Sequence, residues 1–150
     1  MRNLFGYMFC MLLFACGGSS DSGQSATQSA PAAPKDDGKG IGEITEVALN
    51  DPLDQEMVAR GQEIYDLKCS ACHKLTGQRV VGPGFLGVTE RRKPEWIMNM
   101  ITNTDAMLEK DPQAQALLEE CLTRMPNQNV ALNEARDILE FFLSNDQSKK

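Results

Sequence analysis

Two cysteines and a histidine form the most chemically informative stretch of the sequence, CSACH at residues 69–73. Cys69 and Cys72 stand two residues apart, and His73, the only histidine in the chain, follows directly. Cysteines at this spacing occur in redox dithiols, in zinc sites and in the C-x-x-C-H motif to which a haem is attached covalently. The rest of the sequence has to distinguish these three chemistries.

The first two chemistries are poorly supported by the surrounding sequence. A dithiol of the thioredoxin type begins a helix in a βαβ unit, whereas CSACH follows a helical pattern in a chain with poor strand signals. A structural zinc site needs four ligands, and beyond the motif and the first 16 residues only Cys121 remains. Covalent haem attachment needs two thioethers and the adjacent histidine under the iron. We therefore predict one haem c, attached at Cys69 and Cys72, with His73 as an axial ligand.

The second axial ligand has to be something other than histidine. After the N-terminal segment the methionines are Met57, Met98, Met100, Met107 and Met125. Met125 lies in LTRMPNQN, a non-helical stretch between two helical patterns, where a thioether can reach the iron without disturbing a helix. Met107, in a polar stretch between helices, is the alternative. Thioether ligation raises the potential and fills the coordination sphere, which predicts a carrier and not a catalyst.

The first 40 residues differ in composition from the rest of the chain. A basic start and the apolar run Leu4–Ala15 are typical of an export signal, and the run is shorter than the about 20 residues of a transmembrane helix. The run ends in LFAC, which resembles the lipobox of bacterial lipoproteins. We therefore expect removal of residues 1–15, lipidation of Cys16, a disordered Gly/Ser/Ala/Pro linker over residues 16–40, and a protein held to a membrane on the periplasmic side.

Helical patterns predominate from residue 41 onward. Asp51-Pro52, Pro94 and Asp111-Pro112 indicate helix starts, and Asn133 is the expected cap of the last helix. These patterns predict an all-α domain of four to five helices over residues 41–150. The formal net charge of −6 argues against nucleic-acid binding, because phosphate recognition needs a basic face.

Residues 54–145 resemble a class I c-type cytochrome, with CSACH near the start of the domain and Met125-Pro126 before the last helix. The resemblance implies a small cytochrome c fold wrapped around one haem, with His73 and Met125 as axial ligands. It also implies that the carbonyl of Pro83 accepts the other ring N–H of His73 and that Phe85 packs on the haem.

Several further side chains are candidates for the haem surroundings. Trp96, the only tryptophan, is expected to line the haem or to donate its N–H to a propionate, and Arg91 to pair with a propionate. Cys121 is expected to be a small buried residue of the third helix. Three cations flank the attachment site, and they are either ordinary surface charges or a basic rim around the haem edge: Lys68, Lys74 and Arg79.

The sequence thus predicts a monomeric single-electron carrier, not an enzyme, in a bacterial respiratory chain. Its partners would be a quinol-oxidising complex or other donor and a terminal reductase or oxidase; the segment GPGFLGVTERRKPEWI resembles cytochromes that serve such acceptors, including nitrous oxide reductase. Two alternatives stay open: a haem sensor or peroxidase-like enzyme with an open sixth position, and a fixed cytochrome subunit of a larger respiratory complex.

Overall fold

Six α-helices make up the regular structure of residues 37–149, the part of the chain that the computed structural model describes. They are α1 (Gln55–Lys68), α2 (Val88–Arg91), α3 (Pro94–Thr102), α4 (Thr104–Lys110), α5 (Pro112–Cys121) and α6 (Leu132–Gln147). The predicted all-α fold is confirmed, with six helices in place of four to five. The expected signal peptide, Cys16 and the linker up to residue 36 lie outside the described residues. None of the helices between residues 37 and 149 has the length and apolar character needed to cross a membrane.

Helices α1 and α6 cross at close range. A β-carbon on Gly61 of α1 would lie 2.1 Å from the backbone oxygen of Asp137 on α6, so only glycine allows this approach. One turn later, the ring of Tyr65 packs against Phe141 and Phe142, with centroid distances of 5.5 and 6.3 Å. This crossing fixes the end of α1, which leads directly into CSACH.

Two helices start at residues other than those predicted. Helix α1 begins at Gln55 because the carboxylate of Asp54, and not that of Asp51, accepts the N–H groups of the first turn. Helix α6 begins at Leu132 because the carboxylate of Glu134 accepts the N–H of Ala131 at 2.8 Å, so Asn133 lies inside the helix. In both places two polar residues lie near the helix start. The residue that accepts the N–H groups there, Asp54 or Glu134, is not the one that the sequence pattern indicated.

The starts of α3 and α5 are as predicted, at Pro94 and Pro112. Asp111 caps α5 by accepting the N–H of Ala114 at 2.8 Å. The short helices α2 and α4 were not predicted.

An extended segment, residues 37–50, covers the outer side of α3 and α4. The side-chain amide of Asn99 donates to the carbonyls of Lys39 and Ile44, each at 2.9 Å. The N–H of Ile41 donates to the sulfur of Met107 at 3.0 Å. Residues 37–40, which the sequence analysis assigned to the linker, are thus hydrogen-bonded to the helical domain.

Candidate functional site

A cavity of about 580 Å³ lies between the CSACH segment, α3, α5 and the loop of residues 122–131. Its volume is in the range of small-molecule and cofactor sites. The walls are mainly apolar and include Trp96, Ile97, Met100, Ile101, Leu117 and Leu118. A smaller cavity of about 60 Å³ shares Cys72, His73 and Met125 with it and is also lined by Cys69.

The imidazole of His73 is held by a single defined hydrogen bond. The ring is 8% exposed, and its Nδ1 lies 2.9 Å from the carbonyl oxygen of Pro83. Because that carbonyl can only accept, Nδ1 carries the proton and Nε2 is the nitrogen that can ligate a metal. Burial lowers the pKa of His73, with the Pro83 bond acting in the opposite direction. The ring is therefore poised as a neutral ligand.

The Gly/Pro-rich loop after the motif encloses this ring. Phe85 stacks on the imidazole, with centroids 4.4 Å apart and an angle of 8° between the planes. Phe85 also lines the cavity, together with Pro83. Gly82 comes so close that a β-carbon there would lie 2.2 Å from Cε1 of His73. The loop comprises residues 77–87, and its sequence alone does not show this steric requirement.

Tyr65 is a further residue that sequence reasoning did not connect to the site. Its hydroxyl donates to the backbone oxygen of His73 at 2.6 Å, and the residue is 4% exposed. The available signal was a tyrosine at helical spacing on α1, which predicts packing but no specific acceptor. The bond ties the histidine segment to the α1–α6 crossing.

The two cysteines of the motif lie on one turn with the histidine. The N–H groups of Cys72 and His73 donate to the oxygen of Cys69 at 3.1 and 3.0 Å. Neither cysteine is in a disulfide, and burial raises the pKa of the Cys69 thiol to about 11. Residues 37–149 contain no cluster of three or more His, Cys, Asp or Glu side chains that would hold a metal ion. An apolar cavity bordered by two thiols and a neutral imidazole fits a covalently attached haem.

Trp96 lines the cavity, but its N–H is already used. Nε1 donates to Oδ1 of Asp111 at 3.0 Å, so the expected donation to a propionate is replaced by a bond between α3 and the cap of α5. Arg91 also lines the cavity, and its guanidinium donates to the carbonyls of Gly84, at 3.3 Å, and Leu86.

Only one of the two methionines considered as a ligand reaches the cavity. Met125 is half-buried in the loop between α5 and α6 and lines both cavities. Met107 lies on α4 and not between helices; it is fully buried behind α3, where its sulfur accepts the N–H of Ile41. Cys121, partly buried at the end of α5, lines the larger cavity.

The cations that flank the motif are balanced by neighbouring acceptors. Lys68 lies 3.5 Å from Glu134, and Arg79 lies 3.0 Å from Glu120. Lys74 donates to the backbone oxygen of Ser70 at 3.1 Å. Lys68 and Arg79 are thus paired with carboxylates, which favours ordinary surface charges over a basic rim.

Comparison with known proteins agrees with this site. The family model for cytochrome c matches residues 58–146. A comparison with curated protein sequences gave no significant match. Among solved structures, a cytochrome c from Rhodothermus marinus is similar, with 31% identity and a TM-score of 0.69 over 71% of this chain and 91% of that one. An engineered form of that cytochrome, bound to a carbene intermediate, matches over the same shares with 31% identity and a TM-score of 0.65.

The matched region includes the CSACH turn, the enclosing Gly/Pro-rich loop, the apolar cavity and Met125. These features are the parts that a covalently bound haem requires. The chain binds haem c through Cys69 and Cys72 and belongs to the cytochrome c family of haem electron carriers.

Proposed function

We propose that this cytochrome is a single-electron carrier whose iron is ligated by His73 and Met125. The observation that carries the proposal is that His73 and Met125 line the same cavity, Met125 from a non-helical loop. Met100 also lines it but lies within α3, and Met107 is buried elsewhere with its sulfur already accepting a hydrogen bond. A histidine–methionine pair fills both axial positions and favours the ferrous state. No ligand then has to bind to the iron or leave it as the electron passes.

The protein's contribution is to keep the site unchanged between two oxidation states. Bound haem supplies an iron that cycles between ferric and ferrous forms. Pro83 and Tyr65 fix the histidine ring and its backbone, and Phe85 packs along the ring face. The apolar walls exclude water, so few dipoles have to reorient when the charge changes. Rigid ligands in a dry cavity are the properties a carrier needs.

The cellular setting follows from the N-terminal sequence and is equally a proposal. The export signal, the lipobox-like ending at Cys16 and the polar linker support a carrier tethered on the periplasmic side of a membrane. Its donor would be a quinol-oxidising complex or a comparable protein, and its acceptor a terminal reductase, such as nitrous oxide reductase, or an oxidase. Cys16→Ala should release the cytochrome from the membrane fraction with its haem intact.

Met125→Ala tests the ligand assignment, with Met107→Leu as the matched control. The Met125 variant should keep its attached haem, lose the weak red absorption of the methionine–iron bond, and bind carbon monoxide when reduced. The Met107 variant should keep that absorption because its side chain lies outside the cavity. An unchanged spectrum for Met125→Ala would contradict the proposal.

A second candidate, a haem protein with an open sixth position, has one observation in its favour. The engineered cytochrome c from Rhodothermus marinus is bound to a carbene intermediate. In this chain the non-helical loop that carries Met125 is the element that would have to move. Ready carbon monoxide binding by the reduced wild-type protein at neutral pH would favour this candidate over the carrier.

A further inference from the structure

Arg79 connects two walls of the haem cleft that are distant in sequence. Its Nη1 donates to both the backbone oxygen of Glu120, at 2.9 Å, and the carboxylate Oε1, at 3.0 Å. Arg79 belongs to the Gly/Pro-rich loop that encloses His73, and its backbone forms an isolated antiparallel bridge with His73 itself. Glu120 lies in the last turn of α5, on the side that leads to Met125. The pair therefore joins the histidine side of the cleft to the methionine side.

The pair lies beside the cavity and is open to solvent. Both side chains are substantially exposed, at 46% for Arg79 and 61% for Glu120. Glu120 and its neighbour Cys121 line the cavity, and so does Val81, two residues after Arg79. The contact is therefore open to solvent on one side and adjoins the cavity, through Glu120, on the other.

Helix α5 gives the contact a second physical basis. The last carbonyl groups of a helix lack intrahelical partners, and a cation there also interacts favourably with the helix dipole. Arg79 donates to one of these carbonyls while its charge faces the Glu120 carboxylate. The helix end thus favours arginine here beyond the attraction of the carboxylate alone.

We propose that Arg79 and Glu120 form a bridge across the mouth of the haem cleft, which holds the two walls together and limits the entry of small molecules from solvent. Both are positioning residues: they act on the cleft through the loop and through α5. The bridge does not depend on which residue ligates the iron. A test of the bridge is therefore independent of the assignment of Met125 as a ligand.

Cys121 provides a built-in probe of the opening. In the haem-loaded protein Cys69 and Cys72 are thioethers, which leaves Cys121 as the reactive thiol among residues 37–149. It lies next to Glu120 and lines the cavity. Its alkylation by iodoacetamide, a neutral reagent, forms a sulfur–carbon bond with loss of iodide, and mass spectrometry locates the label on its peptide.

Arg79→Gln and Glu120→Gln should each raise the alkylation rate of Cys121. Exposed ion pairs make modest contributions, so we expect an increase of about two- to five-fold. Glu120→Gln keeps the backbone oxygen that Arg79 also contacts, so it should raise the rate less than Arg79→Gln, and the double variant should react no faster than Arg79→Gln. In the wild type, added salt should raise the rate by screening the pair, and the effect should be absent in Arg79→Gln.

The two variants separate a bridge from a direct effect of charge on the thiol. Loss of the arginine charge would disfavour the thiolate and slow the reaction, whereas loss of the glutamate charge would favour it. Opposite changes in rate would therefore overturn the bridge, as would rates equal to the wild type. Arg60→Gln, which removes a 2.8 Å ion pair to Asp137 between α1 and α6, controls for general loosening. An equal acceleration in that variant would also overturn the proposal.

Discussion

The imidazole of His73 and the backbone of Gly82 are in direct contact, because a β-carbon at Gly82 would lie 2.2 Å from Cε1 and 2.7 Å from both ring nitrogens. The next residue, Pro83, accepts the Nδ1–H of the same ring. The loop can bring its carbonyl to the ring only by passing this close to it. Glycine at position 82 therefore helps to hold the ring of His73 in its orientation.

Gly82→Ala should displace the ring of His73 and weaken its bond to Pro83. Overpacking of this kind costs about 1–3 kcal/mol in the free energy of unfolding, and it should also lower the fraction of protein with attached haem. Gly77→Ala is the matched control, since a β-carbon there meets nothing within 4 Å. Denaturant unfolding and haem content measure both effects, and equal behaviour of the two variants would contradict the steric argument.

Tyr65→Phe removes the hydroxyl that donates to the backbone oxygen of His73. Because the bond is buried, its loss should cost about 1 kcal/mol of unfolding free energy, while the ring packing against Phe141 is kept. Ser70→Ala, which removes a more exposed bond to the oxygen of Asp66, should cost less. A Tyr65 variant as stable as the wild type would show that the bond contributes little.

The haem attachment could be read from the sequence because its chemistry is local. Two thiols and a histidine within five residues have one interpretation once the other possible ligands are counted. The helix starts at Pro94 and Pro112 were equally local. Such features depend on the order of residues and not on what packs against them.

Other features depend on contacts across the fold and could not be predicted in the same way. Helix α4 places its two large apolar residues, Met107 and Leu108, side by side, so no helical repeat is visible in TDAMLEK. By local sequence Asp51 and Asp54 are about equally suitable as the N-cap of α1, and only the folded structure shows that Asp54 is used. The partner of the Trp96 N–H, Asp111, lies 15 residues away and is known only once α3 and α5 meet.

Asp111 has two roles, which a comparison of variants can separate. Its Oδ1 accepts both the Ala114 N–H of the α5 cap and the N–H of Trp96. Asp111→Ala should lose both, whereas Asp54→Ala loses only a helix cap, worth about 0.5–2 kcal/mol. Asp111→Asn, which keeps an acceptor oxygen, should recover most of the loss. If Asp111→Ala and Asp54→Ala destabilised the protein equally, the Trp96 bond would contribute nothing measurable.

Glu134 should give the unfolding free energy a dependence on acid pH. Its carboxylate accepts the N–H of Ala131 and lies near Lys68, and these contacts lower its pKa below the ordinary value of 4.5, against a smaller opposing effect of burial. A carboxyl whose pKa is lower in the folded protein stabilises it fully above the unfolded pKa, and this contribution is lost as pH falls through the folded pKa. In Glu134→Gln the amide oxygen can still accept the Ala131 N–H, but the side chain at this position no longer carries a titratable group.

The unfolding free energy of the wild type should therefore fall toward that of Glu134→Gln between about pH 5 and pH 3, and the two should differ most near neutral pH. Glu63→Gln, at an exposed position on α1, serves as the charge control and should follow the wild-type curve. Denaturant titrations at several pH values measure the difference. A constant gap between Glu134→Gln and the wild type across this range would mean that the lowered pKa has no effect on folding, and the cap of α6 would then owe nothing to the charge of Glu134.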